Sequence, residues 1–181
     1  MFTVLITGGS QGARTLNRAS RESWPLFRTN GAPVRIVHQT GVAEHDALAE
    51  EFTGAGIEGE VIPFIPNMAS AFAEADLVVA RAGAGAVNEI AAAGMASVLV
   101  PLPFAADDHQ RRNAEALVQN GAARMVLDAE MNGKRLFEEI ESLRENPAEL
   151  EKMQTRVRPF AKPGAADRAA DVLEEAARPS G

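Results

Sequence analysis

Six short apolar runs, each followed by a stretch suited to a helix, leave this chain few folds to choose from. Residues 4–7, 34–38, 60–62, 77–80, 97–100 and 124–127 read as strands. They are rich in Val, Ile and Leu and mostly continuous rather than alternating, the pattern of strands buried on both faces. Residues 13–27, 42–52, 67–73, 86–93 and 108–120 read as the intervening helices. With right-handed crossovers, this order predicts an α/β fold: a doubly wound, Rossmann-like, six-stranded parallel sheet that receives ligands at the carboxyl ends of its strands. From residue 133 the pattern is only helical, over 134–143, 147–160 and 165–177. The chain therefore reads as one domain over 1–181, with a core at 1–128 and extra C-terminal helices within 133–178. Pro25 is expected to mark the last turn of the first helix, Asn30-Gly31-Ala32-Pro33 a turn, and Asn67 a helix cap. One apolar edge of the tail helices is open to packing against a second domain outside this chain.

The first strand runs into Leu5-Ile6-Thr7-Gly8-Gly9-Ser10-Gln11-Gly12-Ala13-Arg14. Glycines let the backbone turn sharply and approach a ligand, and bare N–H groups at the following helix start suit a phosphate. Ser10 and Gln11 add side-chain donors and acceptors for phosphate or sugar oxygens. The bland alternative is a tight strand-to-helix turn. The run lacks the Gly-Lys-Ser/Thr of a phosphate loop, which disfavours ATP or GTP hydrolysis of that type. His38-Gln39 stand where an NAD-binding fold places an acidic residue, which disfavours an oxidoreductase.

A second small-residue cluster, Arg81-Ala82-Gly83-Ala84-Gly85-Ala86-Val87-Asn88-Glu89, follows the fourth strand. Ala84, Gly85 and Ala86 would present N–H groups to a shared diphosphate. Glu89, one turn inside, either accepts both hydroxyls of a ribose or simply complements the helix dipole. Phe64, Ile65 and Met68 follow the third strand and suit either the wall of a base site or core packing; they do not decide uracil against adenine. Asp108 is a candidate cap, and His109 and Gln110 suit contact with sugar hydroxyls or phosphate, with His109 also open as a general base. Arg14 and Arg81 each suit either a diphosphate or a salt bridge. His38, His45 and His109 lack metal-ligand spacing, so no metal and no cofactor is expected. Asp76 reads as a strand-start residue on the edge away from the ligand.

At 181 residues and 46% hydrophobic content the chain supports one compact core and excludes a mostly disordered chain. Lys plus Arg total 18 against 25 for Asp plus Glu, a formal charge of -7, which argues against a broad nucleic-acid footprint. Without cysteine there is no disulfide framework or thiolate zinc site. The opening apolar run ends at Gly8 and reads as a buried strand, too short for a signal peptide or a membrane span.

In this order, the glycine run 8–14, His38-Gln39-Thr40-Gly41, Phe64-Ile65-Pro66-Asn67-Met68, Ala75-Asp76-Leu77-Val78, the cluster 81–89, Ala91-Ala92-Ala93-Gly94, Asp108-His109-Gln110 and Asn113-Ala114 resemble the C-terminal half of the MurG family of bacterial peptidoglycan glycosyltransferases. The likeness covers nearly the whole chain through Leu127 and is looser in the tail helices. It implies one half of a two-domain GT-B enzyme that transfers N-acetylglucosamine from UDP-N-acetylglucosamine to a lipid-linked muramyl-pentapeptide, with inversion, in cell-wall synthesis. Donor binding falls to this half: Gly9, Ser10, Gln11 and Gly12 at the diphosphate and sugar, Phe64, Ile65 and Met68 at the uracil, Glu89 at the ribose. The resemblance sets Ala84, Gly85 and Ala86 along the diphosphate and His109 and Gln110 on the N-acetylglucosamine. Ala82 stands where the family often has serine, and Gly85-Ala86 where it has a bulkier residue and threonine, removing one hydroxyl from the phosphate region. No catalytic residue is expected here, because the acceptor site, the membrane-facing patch and the general base belong to the N-terminal half, which this sequence lacks. The isolated chain is expected to bind donor weakly and turn over negligibly. The resemblance implies a cytoplasmic location, the full-length enzyme being peripheral on the cytoplasmic face of the membrane. The alternatives are the donor domain of another UDP-sugar transferase and a non-catalytic nucleotide-binding module.

Overall fold

The computed structural model describes residues 1–30, 33–103 and 108–161. Its elements run Phe2–Thr7 (β1), Arg14–Asn30 (α1), Val34–Gln39 (β2), His45–Ala55 (α2), Glu58–Ile62 (β3), Met68–Glu74 (α3) and Leu77–Ala80 (β4). They continue with Ala84–Ala93 (α4), Ser97–Leu99 (β5), His109–Gln119 (α5), Arg124–Met125 (β6), Gly133–Arg144 (α6) and Pro147–Val157 (α7). The six strands form one parallel sheet in the order β3-β2-β1-β4-β5-β6. The chain winds outward from β1 to β3, crosses back, and winds the other way from β4 to β6. The doubly wound parallel sheet expected from the alternating runs is the fold observed.

Both faces of the sheet are buried, which is why the strands read as continuous apolar runs. Val4, Ile6, Ile36, Val79 and Val98 pack on the side of α1, α2 and α6. Leu5, Val37, Val78, Ala80 and Leu99 pack on the side of α3, α4 and α5. Among the described residues, the tail helices α6 and α7 turn their apolar sides inward. Leu136, Ile140, Leu143, Leu150 and Met153 join the first core, Val157 joins the second, and Phe137 meets Phe27 edge-on at 4.9 Å.

Three local expectations change. α1 does not end at residue 27 but continues to Asn30, so Pro25 lies inside it rather than in its last turn. A proline inside a helix costs about 3 kcal/mol, and burying Trp24 and Phe27 in the core offsets it at about 2–3 kcal/mol each. Its last turn is also held by Thr29 Oγ1 donating to Pro25 O (2.8 Å) and Asn30 Nδ2 donating to Leu26 O (2.7 Å). α4 starts at Ala84, two residues before the expected start at 86. Asp108 occupies the cap position of α5 but makes no capping bond, and its backbone is left-handed (φ 57°). Asn67 does cap α3, accepting from Ser70 N at 3.1 Å. The helix expected over 165–177 lies outside the described residues, as do Gly31 and Ala32 of the turn.

The turn after β1 is pressed, backbone against backbone, on the turn after β2. Gly12 is left-handed (φ 74°), and a Cβ there would lie 1.8 Å from the Thr40 carbonyl oxygen. Behind this contact sits a buried polar group. Asn17 Nδ2 donates to Thr40 O at 3.0 Å and to Glu44 Oε2, so Asn17 Oδ1 accepts from His38 Nε2 at 3.1 Å. That fixes the Nε2–H tautomer and leaves Nδ1 without a partner among the described residues. Asp76 ties the opposite sheet edge, its Oδ2 accepting from Thr3 N at 2.7 Å.

Burial lowers the His38 pKa to about 3 from its ordinary 6.5. Between those values the unfolded chain binds a proton that the fold refuses, so the stability held here is complete above pH 6.5 and drains as pH falls towards 3. In denaturant titrations, the stability difference between wild type and His38→Gln is expected to shrink over that window; a constant difference would remove His38 from the acid limb. Gly12→Ala is expected to prevent stable folding. Gly9→Ala, at φ 83° with no heavy atom within 4 Å of the new Cβ, is expected to cost only about 1–2 kcal/mol of left-handed strain. Equal losses in urea unfolding of the two variants would contradict the packing argument.

Candidate functional site

Because β1 and β4 pair directly, with Thr7 opposite Ala80, the loops that leave their carboxyl ends are neighbours. One loop runs through Gly8 to Ala13 into α1, the other through Arg81 to Gly83 into α4. This is the point where the winding reverses, and it opens a cleft of about 800 Å³. The first N–H groups of each helix lack an intrahelical acceptor, so both helices bring unpaired donors and positive dipole ends towards it.

Gly9, Ser10 and Gly12 line the cleft from the first loop, while Gln11 does not and is solvent-exposed. Gly85 and Ala86 line it from the first turn of α4, with Glu89 one turn further on; Ala84 is exposed and outside the lining. Phe64, Ile65 and Met68 form a wall on the β3 side. Phe64 is 55% exposed although it is a large apolar ring, whereas Ile65 is buried. Gln110 reaches the cleft from α5, where its Oε1 accepts from Leu102 N at 3.0 Å. His109 is exposed at the start of α5 and is not part of the lining.

Among the described residues, four charged side chains line the cleft: Arg14, Arg81, Glu89 and Asp128. Arg81 is committed to the scaffold. Its guanidinium pairs with Asp128 and donates to the carbonyl of Val100 (3.1 Å), and Thr15 Oγ1 donates to the other Asp128 oxygen (3.1 Å). This cluster joins the ends of β4 and β5 to the start of α1. Arg14 is exposed and takes no hydrogen bond or ion pair among the described residues, so its charge is available to a ligand.

Two residues carry more of the site than their sequence suggested. Gln39, the last residue of β2, is 1% exposed; its Nε2 donates to Gly9 O (2.7 Å) and Thr7 Oγ1 (3.3 Å), and its Oε1 accepts from Ile65 N (2.8 Å). The signal for it was a polar residue closing an apolar strand. Asp128 lies just past β6, and only its position at a strand's carboxyl end marks it.

The model of the family described as "Glycosyltransferase family 28 C-terminal domain" matches residues 3–172. A protein of Solibacter usitatus named UDP-N-acetylglucosamine--N-acetylmuramyl-(pentapeptide) pyrophosphoryl-undecaprenol N-acetylglucosamine transferase is 61% identical over 179 residues, covering 99% of this chain and 49% of its own length. A protein of Geobacter sp. with the same name is 41% identical, covering 91% of this chain and 44% of its own. The crystal structure of MurG from Acinetobacter baumannii superposes with a TM-score of 0.81 at 36% identity, covering 96% of this chain and 52% of that one. The chain thus spans about half the length of the curated relatives it matches. On the family match, the identities and the shared sheet, this chain belongs to the glycosyltransferase family 28 C-terminal domain family.

Proposed function

We propose that this chain is the donor-binding half of an inverting N-acetylglucosaminyltransferase acting on a lipid-linked muramyl-pentapeptide. One observation carries this reading: the two small-residue loops leave adjacent strands, so the helix ends behind them converge on one point between an apolar wall and a carboxylate. A diphosphate at that point takes N–H groups from the Gly9–Gly12 turn and from the first turn of α4, with the Arg14 guanidinium adding charge. A uracil lies against Phe64, Ile65 and Met68, and Glu89 accepts from the ribose hydroxyls. Gln110 meets the N-acetylglucosamine, with His109, Gln11 and Ala84 at the margin of the cleft. The names of the 61% and 41% identical relatives support this choice of donor and acceptor.

In the transfer, a base removes the proton from the acceptor hydroxyl, and that oxygen forms a bond to the anomeric carbon. The bond from the anomeric carbon to the diphosphate breaks, and its electron pair leaves on UDP. The loops of this half stabilise that developing charge, which is greatest as the bond breaks. Base and acceptor site belong to the further half of the relatives' length. We assign contact with the lipid surface to that same half; among the described residues no helix is long and apolar enough to cross a membrane.

In calorimetric titrations this chain is expected to bind UDP-N-acetylglucosamine and UDP and to bind ADP at least about ten-fold more weakly, the discrimination of one unpaired polar group. Glu89→Gln and Arg14→Ala are each expected to weaken UDP-N-acetylglucosamine about five- to ten-fold, the loss for Arg14 shrinking at high salt. Absence of heat for all three nucleotides, or equal affinity for UDP and ADP, would refute the reading.

A further inference from the structure

We propose that Gln39 is a positioning residue of the donor site: one buried carboxamide that sets the spacing between the diphosphate loop and the base-facing wall. The inference rests on the donor-site reading of the cleft. β2 lies between β1 and β3 in the sheet, and Gln39 stands opposite Thr7 on one side and Ile62 on the other. From that register its amide spans both neighbours, donating to Gly9 O and Thr7 Oγ1 and accepting from Ile65 N. Thr7 Oγ1 also accepts from Gly9 N at 3.1 Å, so Gly9 is held at its N–H by Thr7 and at its carbonyl by Gln39.

The chemistry admits few other residues at this place. The loop side needs a donor and the wall side needs an acceptor, and a carboxamide supplies both from one rigid plane. A carboxylate would keep the Ile65 bond but set a negative charge against the Gly9 carbonyl with no proton to give, so that this oxygen would keep only its bond from Gly12 N (3.0 Å). Asn is shorter by one methylene, and an apolar side chain would leave the Ile65 N–H unpaired and cut the tie to the Gly9 carbonyl. In a dinucleotide-binding fold the end of the second strand reaches outward to the ribose. Here the residue turns inward: it lies at the floor of the cleft with 1% exposure, its amide spent on Gly9, Thr7 and Ile65, and it acts on a ligand through the positions of Gly9 and Ile65. A ligand that engages both the loop and the wall feels the spacing between them, while one that touches only the wall does not.

The test is calorimetric titration of wild type, Gln39→Leu and Gln39→Glu with UDP-N-acetylglucosamine and with uridine. Gln39→Leu is expected to weaken UDP-N-acetylglucosamine about ten-fold or more and uridine by a clearly smaller factor, in line with the loss of buried hydrogen bonds. Gln39→Glu is expected to behave like Gln39→Leu at pH 8 and to recover affinity as the pH falls. Once protonated, its carboxyl gives an O–H to Gly9 O and still accepts from Ile65 N. The other charged groups around the cleft, Arg14, Arg81, Glu89 and Asp128, are common to all variants, so the wild-type profile subtracts them. Equal losses for both ligands, wild-type affinity in Gln39→Leu, or a Gln39→Glu profile parallel to wild type would overturn the proposal. If the Gln39 variants fail to give a cooperative melt, Thr7→Val removes one acceptor of the same amide, and the same ordering of ligand losses decides. Wild type binding neither ligand would bring down the donor-site reading itself, whereas wild-type binding with insensitive variants brings down only the role of Gln39.

Discussion

Parallel pairing of β1 with β4 is the constraint on which the rest of this structure depends. The two strands are far apart in sequence and adjacent in the sheet, and the winding reverses between them. The reversal sends α1 to one face and α4 to the other, so no crossover covers the gap above the strand ends. Loops that would otherwise be separate strand-to-helix turns become two sides of one cleft. Moving β4 out by one strand position, about 4.8 Å, would be enough to part the two sets of amides.

That cleft is supported by polar groups sunk into the core beneath it. His38, Asn17 and Glu44 fix the turn after β2, that turn presses on Gly12, and Gln39 ties Gly9 to the segment after β3. On the far side, Arg81 and Asp128 bind the ends of β4 and β5 to α1. Buried ion pairs and amides of this kind add little net stability, but leaving any one member unpaired is costly. Their effect is to hold the loops in one arrangement. Under the proposed reading, in which main-chain donors meet a diphosphate, that rigidity is what the site needs, since backbone groups cannot change rotamer to follow a ligand.

Much of this was legible in the chain. Strand runs such as 77–80 announce burial on both faces, because a parallel strand under two layers of helix has no polar side to display. The glycine turn at 8–12 is legible because close backbone approaches exclude a Cβ at Gly8 and Gly12, and the run 83–86 because small residues leave room beside a helix start. Boundaries were less so. α1 runs through Pro25 because Trp24 and Phe27 are anchored in the core, a tertiary gain that a local propensity does not contain. α6 and α7 spend their apolar edges on α1 and on the sheet, which depends on where α1 lies and not on their own periodicity.

By itself the sequence determined the class of fold, the location of the cleft at strand carboxyl ends, and the residue types around it, since each follows from periodicity or from the steric needs of a turn. Only the tertiary structure decided which side chains face a ligand and which are spent on the scaffold. Arg14 and Arg81 look alike in the chain, yet one is exposed and unpaired among the described residues while the other is locked to Asp128. Gln39 reads as an ordinary polar strand end until β1 and β3 are laid on either side of it. The reason is the same for both: a hydrogen bond's worth depends on what lies opposite in space, and partners about 26 to 47 residues away come into register only when the sheet is assembled.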